Sequence, residues 1–190
     1  MTDNLSRLTS NRSASTLWIV LLTVASLLST WAFACMTPFA ALAALAATHM
    51  RGRDGAGLMI ASWVVSQGVG FGMLHYPHDP LTMAWGAALG FAALGAVGGA
   101  YLALSRVAEP SLAVRLPVAF AAAFVSFKAV LLISDVVLGG SFASTIAPSL
   151  LLRQVPREAA ITVILLALYR ELTAVGVPAI GSTRASVAAA

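Results

Sequence analysis

Leu81–Leu104 reads LTMAWGAALGFAALGAVGGAYLAL, 24 residues without a charged side chain. As a helix it would extend about 36 Å, against about 30 Å for the hydrocarbon core of a bilayer. The rest of the chain has the same character. Of its 190 residues 59% are hydrophobic and only 9% are charged, where soluble domains carry about 25% charge. Mean hydropathy is +0.91. A water-soluble globule would lack the polar material to cover its surface, and a disordered chain could not keep so much apolar surface solvated. The expected fold class is all-α, a polytopic transmembrane helical bundle.

Five further apolar runs flank this one: Thr16–Ala34, Pro38–Met50, Ala56–Leu74, about Leu116–Leu138 and about Arg157–Leu172. They divide the chain into a polar N-tail (1–15), a six-helix domain (16–172) and a loose C-tail (173–190). The second run is short, reaching only about 20 Å. It could be re-entrant, tilted, or a continuation of the first run bent at Pro38. Arginine placement decides for six spans with both termini cytoplasmic. Arg7, Arg12, Arg51, Arg53, Arg106, Arg115, Arg170 and Arg184 then fall inside, and only Arg153 and Arg157 outside. Five spans would erase that positive-inside bias. The expected location is a bacterial cytoplasmic membrane. A signal peptide ending at Ala32-Phe33-Ala34, before Cys35, is the weaker reading, because another hydrophobic run follows.

Polar residues inside these runs are expensive and point to function. Lys128 lies mid-span in FVSFKAVLLISD, and Asp135 follows seven residues on, on nearly the same face and about 10 Å further out. Gln67, in WVVSQGVGFGM, falls by counting at the depth of Lys128. Lys128, Gln67 and Asp135 are therefore candidate ligand-binding residues, and Lys128 favours a solute with a carboxylate or phosphate. The outer loop His75-Tyr76-Pro77-His78-Asp79-Pro80 adds His75 and Asp79 as ligand contacts. His75, His78 and Asp79 form a candidate metal set. Each has a plainer reading: snorkelling for Lys128, a helix-to-helix hydrogen bond for Gln67, and a solvated helix end or turn for the rest.

Gly68/Gly72, Gly86/Gly90, Gly95/Gly99, Ala40/Ala44 and Ala43/Ala47 carry the small-x-x-x-small spacing of close helix packing. Such faces serve the bundle itself or a docking subunit. Trp18, Trp31, Trp63 and Trp85 fall near span ends, where interfacial anchoring is expected. Enzyme signatures are missing: no His-Glu-x-x-His, no Gly-x-Ser-x-Gly and no phosphate-binding loop. One cysteine excludes a disulfide framework. No cofactor is expected, since His49 and His75 fall at opposite faces and cannot share a haem.

Three stretches together resemble the substrate-binding S components of energy-coupling-factor (ECF) transporters: CMTPFAALAALAATHMRGRDGAGLMIASWVV (35–65), LTMAWGAALGFAALGAVGGAYLAL (81–104) and VPREAAITVILLALYREL (155–172). The similarity lies in the proline-led short second helix, the basic glycine turn after it, and the proline-acid opening of the last helix. It implies capture of a vitamin-like organic anion or a metal ion between the outer loops and outer helix halves. It also implies a transmembrane coupling subunit with ATPases as partners. The first span offers Ala25/Ser29 and Thr30/Ala34 where that family has an Ala-x-x-x-Ala coupling face, and a histidine-rich N-terminus is missing. The expected function is binding and import of a small solute, without enzymatic activity. The alternative is a non-transporting membrane subunit or assembly factor docking through its Gly/Ala faces.

Overall fold

The computed structural model describes residues 15–25 and 37–177, apart from the side chains of Phe142 and Ser144. Among these residues the chain is all-α, as the run lengths predict. The helices are α1 (Ser15–Ala25), α2 (Phe39–His49), α3 (Gly52–Gln67), α4 (Pro80–Leu104), α5 (Leu112–Leu138), α6 (Phe142–Thr145) and α7 (Pro148–Ala174). A π-helical turn, Gly68–Met73, prolongs α3. The end of the first apolar run, with Trp31 and the candidate cleavage site before Cys35, lies outside the described residues, as do most of both tails.

The short second run forms its own helix at the centre of the bundle. Phe39 to Ala47 of α2 are all buried. Alanine makes this possible: side chains one carbon long let α3, α4, α5 and α7 all close on the same 11-residue helix. At about 16 Å, α2 is half the length that a bilayer crossing needs. Side chains from other helices hold both its ends. Glu158 of α7 accepts a hydrogen bond from the Ala40 amide, 3.1 Å. The Tyr101 hydroxyl of α4 lies 3.0 Å from the Ala46 carbonyl and 3.1 Å from that of Met50. Orphan amides and carbonyls at helix ends need such partners, most of all away from water.

The paired glycines of α4 face two ways. A β-carbon at Gly90 would meet the Trp63 ring at 2.9 Å, and one at Gly86 would meet the Gln67 amide oxygen at 2.6 Å, so this pair seats α3. The Trp63 indole also donates to the Gly86 carbonyl, 2.8 Å. A β-carbon at Gly95 would meet Val130 at 2.9 Å and one at Gly99 would collide with Ser126, so that pair seats α5. Both pairings run antiparallel. The Gly86/Gly90 and Gly95/Gly99 faces are thus filled from within the chain, while Gly68 and Gly72 meet nothing within 4 Å. Trp18 is interior, not interfacial: it is fully buried, with its ring centroid 4.6 Å from that of Tyr169.

α4 and α5 are long and apolar enough to cross a membrane, and only 39% and 22% of their most apolar 18-residue stretches are buried. The core helix of a soluble protein would be mostly buried. α5 shows the inversion between neighbours: Asp135 is 4% exposed, while Val136 and Val137 are each 74% exposed. Apolar side chains outward and a carboxylate inward is the arrangement that an apolar solvent favours.

α7 differs from expectation. It begins at Pro148, nine residues before the run predicted at Arg157, and carries Pro156 within it. Pro148 fits because the first helical amides need no partner within the helix. Pro156 removes one backbone bond without ending the helix.

Candidate functional site

Lys128 is half-buried on α5, and its side chain turns toward α6. Its Nζ donates to the Thr145 carbonyl, 3.3 Å, and sits 5.9 Å from the centroid of the Phe124 ring one turn earlier. That ring and carbonyl give a half-desolvated ammonium two weak partners. Two of its three donors are left for another group. Glu158 and Asp135 lie within its Coulombic reach.

Glu158 is the functional candidate that sequence reasoning missed. Its carboxylate is buried and bound to the α2 N-terminus at Ala40, with the Ala41 amide beside it. The positive end of a helix dipole stabilises an anion there. The available signal was an acid following Pro156-Arg157 at the head of an apolar run. One turn nearer the start of α7 on the same face, Gln154 is also buried, and its Oε1 has no hydrogen-bond partner.

Asp135 ends a buried stripe along α5 formed by Ala119, Ala123, Phe127, Leu131 and Asp135. Phe127 of that stripe packs on Phe39 at the start of α2, ring centroids 5.7 Å apart. Gly139 is left-handed (φ 71°), and the Gly140 amide donates back to the Asp135 carbonyl, 2.8 Å, closing the helix as the Gly139-Gly140 pair predicts. That turn lays Gly140 over the Asp135 carboxylate and against the Trp85 ring. Asp135 Oδ2 has no hydrogen-bond partner.

Helix register sets the depths. Val130 opposite Gly95 and Ser126 opposite Gly99 put Lys128 level with residue 97 of α4. Gln67 faces Gly86, about 11 residues or roughly 16 Å nearer the start of α4. Its Nε2 bonds Ser66, 3.2 Å. Gln67 therefore does not share the depth of Lys128, and it packs on α4 while Lys128 reaches α6.

The loop His75–Pro80 is built from local contacts. His75 is left-handed (φ 55°) after the π turn, where the Leu74 and Tyr76 amides close back on Val69 and Gly70. The His78 ring lies 5.3 Å from that of Phe71. Asp79 caps α4: Oδ1 accepts from the Leu81 and Thr82 amides at 3.0 Å, and Oδ2 from the Thr82 hydroxyl at 2.6 Å. The hydroxyl bond first, then the amide bonds, hold the Asp79 carboxyl below the usual carboxylate range. Among the described residues no three His, Cys, Asp or Glu side chains gather as a metal set, so His75, His78 and Asp79 share a loop but not a centre.

Compared with protein-family models, curated proteins and solved structures, the chain matches none.

Proposed function

We propose that this chain is a membrane protein that binds a small solute and passes it inward, with the solute held between α5 and α7 at Lys128. The observation that carries this reading is the polar set inside an apolar-surfaced bundle. Glu158, Asp135 and Gln154 lie on the buried sides of α5 and α7, whose exposed sides carry valine, isoleucine and leucine, and Lys128 is half-buried beside them. Charge inside a bilayer is costly, and such residues mark solute pathways. Glu158 is committed to α2 and Lys128 keeps two free donors, so the ammonium is the group that a solute carboxylate or phosphate would meet.

In this reading the chain passes the membrane six times, with both ends cytoplasmic and α2 as a central half-helix. Interrupted helices ending at mid-membrane, with a charged partner at the break, suit solute sites. The bacterial cytoplasmic membrane and an S-component-like mode of action, with a coupling subunit and ATPases as partners, belong to the same proposal. Support for that mode comes from the sequence pattern of residues 35–65, 81–104 and 155–172.

The test is a thermal-shift screen of the purified protein in lipid nanodiscs against small carboxylates, phosphates and amines. A stabilising anion, lost in Lys128→Met at unchanged helicity, is expected. A binding solute that Lys128→Met leaves equally bound would overturn the site.

A further inference from the structure

Lys128 and Asp135 stand two turns apart on one helix, within about 20° of the same face and about 10 Å apart along its axis. Asp135 lies within the Coulombic reach of Lys128. The chain that leaves α5 turns back over both of them. At one end of that cover, a β-carbon on Gly140 would collide with the Asp135 carboxylate. At the other, the Thr145 carbonyl accepts from Lys128 Nζ at 3.3 Å. The segment from Gly140 to Thr145 thus runs along α5 from the carboxylate to the ammonium. One helix and one covering segment fix how near the two groups are.

Both groups are incomplete. Asp135 is buried, and its Oδ2 has no hydrogen-bond partner among the described residues. Lys128 keeps two donors beyond the one that Thr145 receives. An orphan carboxylate oxygen in an apolar interior is costly, yet the Lys128 ammonium bonds a backbone carbonyl instead of it. An orphan acceptor and orphan donors at that spacing complement a molecule with a donor at one end and an acceptor at the other.

Charge decides what the two ends carry. Asp135 and Glu158 against Lys128 leave one net negative charge in this group. A plain anion at Lys128 would make it two, where no water hydrates them; a zwitterion leaves it at one. Glu158 is bound to the Ala40 amide, so Asp135 is the carboxylate open to the cationic end. Length follows from the spacing. About 10 Å, less a hydrogen bond of about 3 Å at each end, leaves roughly 5 Å between the charged groups of the solute, about three methylene groups.

We propose that the solute is a linear zwitterion of the ω-amino carboxylate class, its ammonium on Asp135 Oδ2 and its carboxylate on Lys128 Nζ. This rests on the membrane solute reading and narrows it to a substrate class. The test is a thermal-shift titration of the nanodisc-embedded protein with glycine, 4-aminobutyrate, butyrate and butylamine. 4-Aminobutyrate should raise Tm saturably, with half-saturation about tenfold or more below that of butyrate, butylamine and glycine. Asp135→Asn should remove the advantage over butyrate while butyrate binds no worse. Butyrate or glycine binding as tightly as 4-aminobutyrate, no response to any of the four, or the full preference retained in Asp135→Asn would overturn the proposal. The wild-type comparison decides even if Asp135→Asn misfolds. A carboxylate that binds through Lys128 with no gain from an amine would sink the zwitterion and leave the Lys128 reading standing. A solute whose binding needs Asp135 but survives Lys128→Met would sink the Lys128 reading and this proposal together.

Discussion

The Glu158 carboxylate accepts the Ala40 amide at 3.1 Å across 118 residues of sequence, at the start of a helix buried from Phe39 to Ala47. That bond is buried on both sides. Glu158→Leu should therefore destabilise the protein by about 1–3 kcal/mol, from the lost cap and the amide left unpaired. Glu158→Gln keeps an acceptor oxygen of the same reach and should cost clearly less. Thermal unfolding of both variants in one detergent checks the order. Equal losses would mean that the negative charge, not the hydrogen bond, holds α2.

The glycines of α4 supply a matched pair. A β-carbon at Gly99 would lie 2.7 Å from the Ser126 β-carbon and 3.3 Å from the Ala122 carbonyl, so no rotamer relieves it. Gly99→Ala should push α4 and α5 apart at a cost of about 1–3 kcal/mol. At Gly98 nothing lies within 4 Å, and Gly98→Ala should be neutral or up to about 1 kcal/mol stabilising through helix propensity. Both are the same chemical change one residue apart. Unfolding midpoints that fail to separate would deny the close α4–α5 approach.

How much of this was legible in the sequence depends on range. The uncharged run Leu81–Leu104 and the Gly139-Gly140 stop each declare a local event, and α4 and α5 follow them. The stretch 148–156 hides its helix, because Arg153, Gln154 and two prolines break the apolar count that marked the other runs. Glu158 could be seen as an acid near a helix start, but its partner lies on another helix. Counting along separate runs puts Gln67 at the depth of Lys128. Only the seating of Trp63 and Gln67 on the α4 glycines shows that their depths differ. Asp79 followed by Pro80 carries an N-cap signature, and the cap is what the structure displays.

The Asp79 cap makes a pH prediction. Its hydrogen bonds depress the folded-state pKa below the unfolded value near 3.9, so the native state favours the charged form. The cap's contribution is fully present above that unfolded value and disappears as pH falls through the lower, folded one. Neutral and mildly acidic conditions should leave the α4 N-terminus equally protected. Below about pH 4, the protection of the Leu81 and Thr82 amides, measured against their intrinsic exchange rate at each pH, should fall. Asp79→Asn keeps a capping oxygen and should remove the pH dependence. Protection already lost at pH 6 would show that the Asp79 carboxylate is not what holds the cap.

Topology is the prediction on which the solute reading leans most. α3 and α4 run antiparallel through Trp63–Gly90 and Gln67–Gly86, and α4 and α5 through Gly95–Val130 and Gly99–Ser126. The turn at Arg51-Gly52-Arg53 and the loop with Arg106 and Arg115 therefore lie at one end of the bundle, and the His75–Pro80 loop at the other. The positive-inside rule predicts that the arginine-rich end faces the cytoplasm. Reporter fusions at Gly52 and at Pro77 should then report cytoplasm and exterior respectively. The same signal from both would contradict the passage of α3 across the membrane. Exchanged signals would turn the bundle over and put Asp135 on the cytoplasmic side of Lys128, so that the solute path would run outward instead of in.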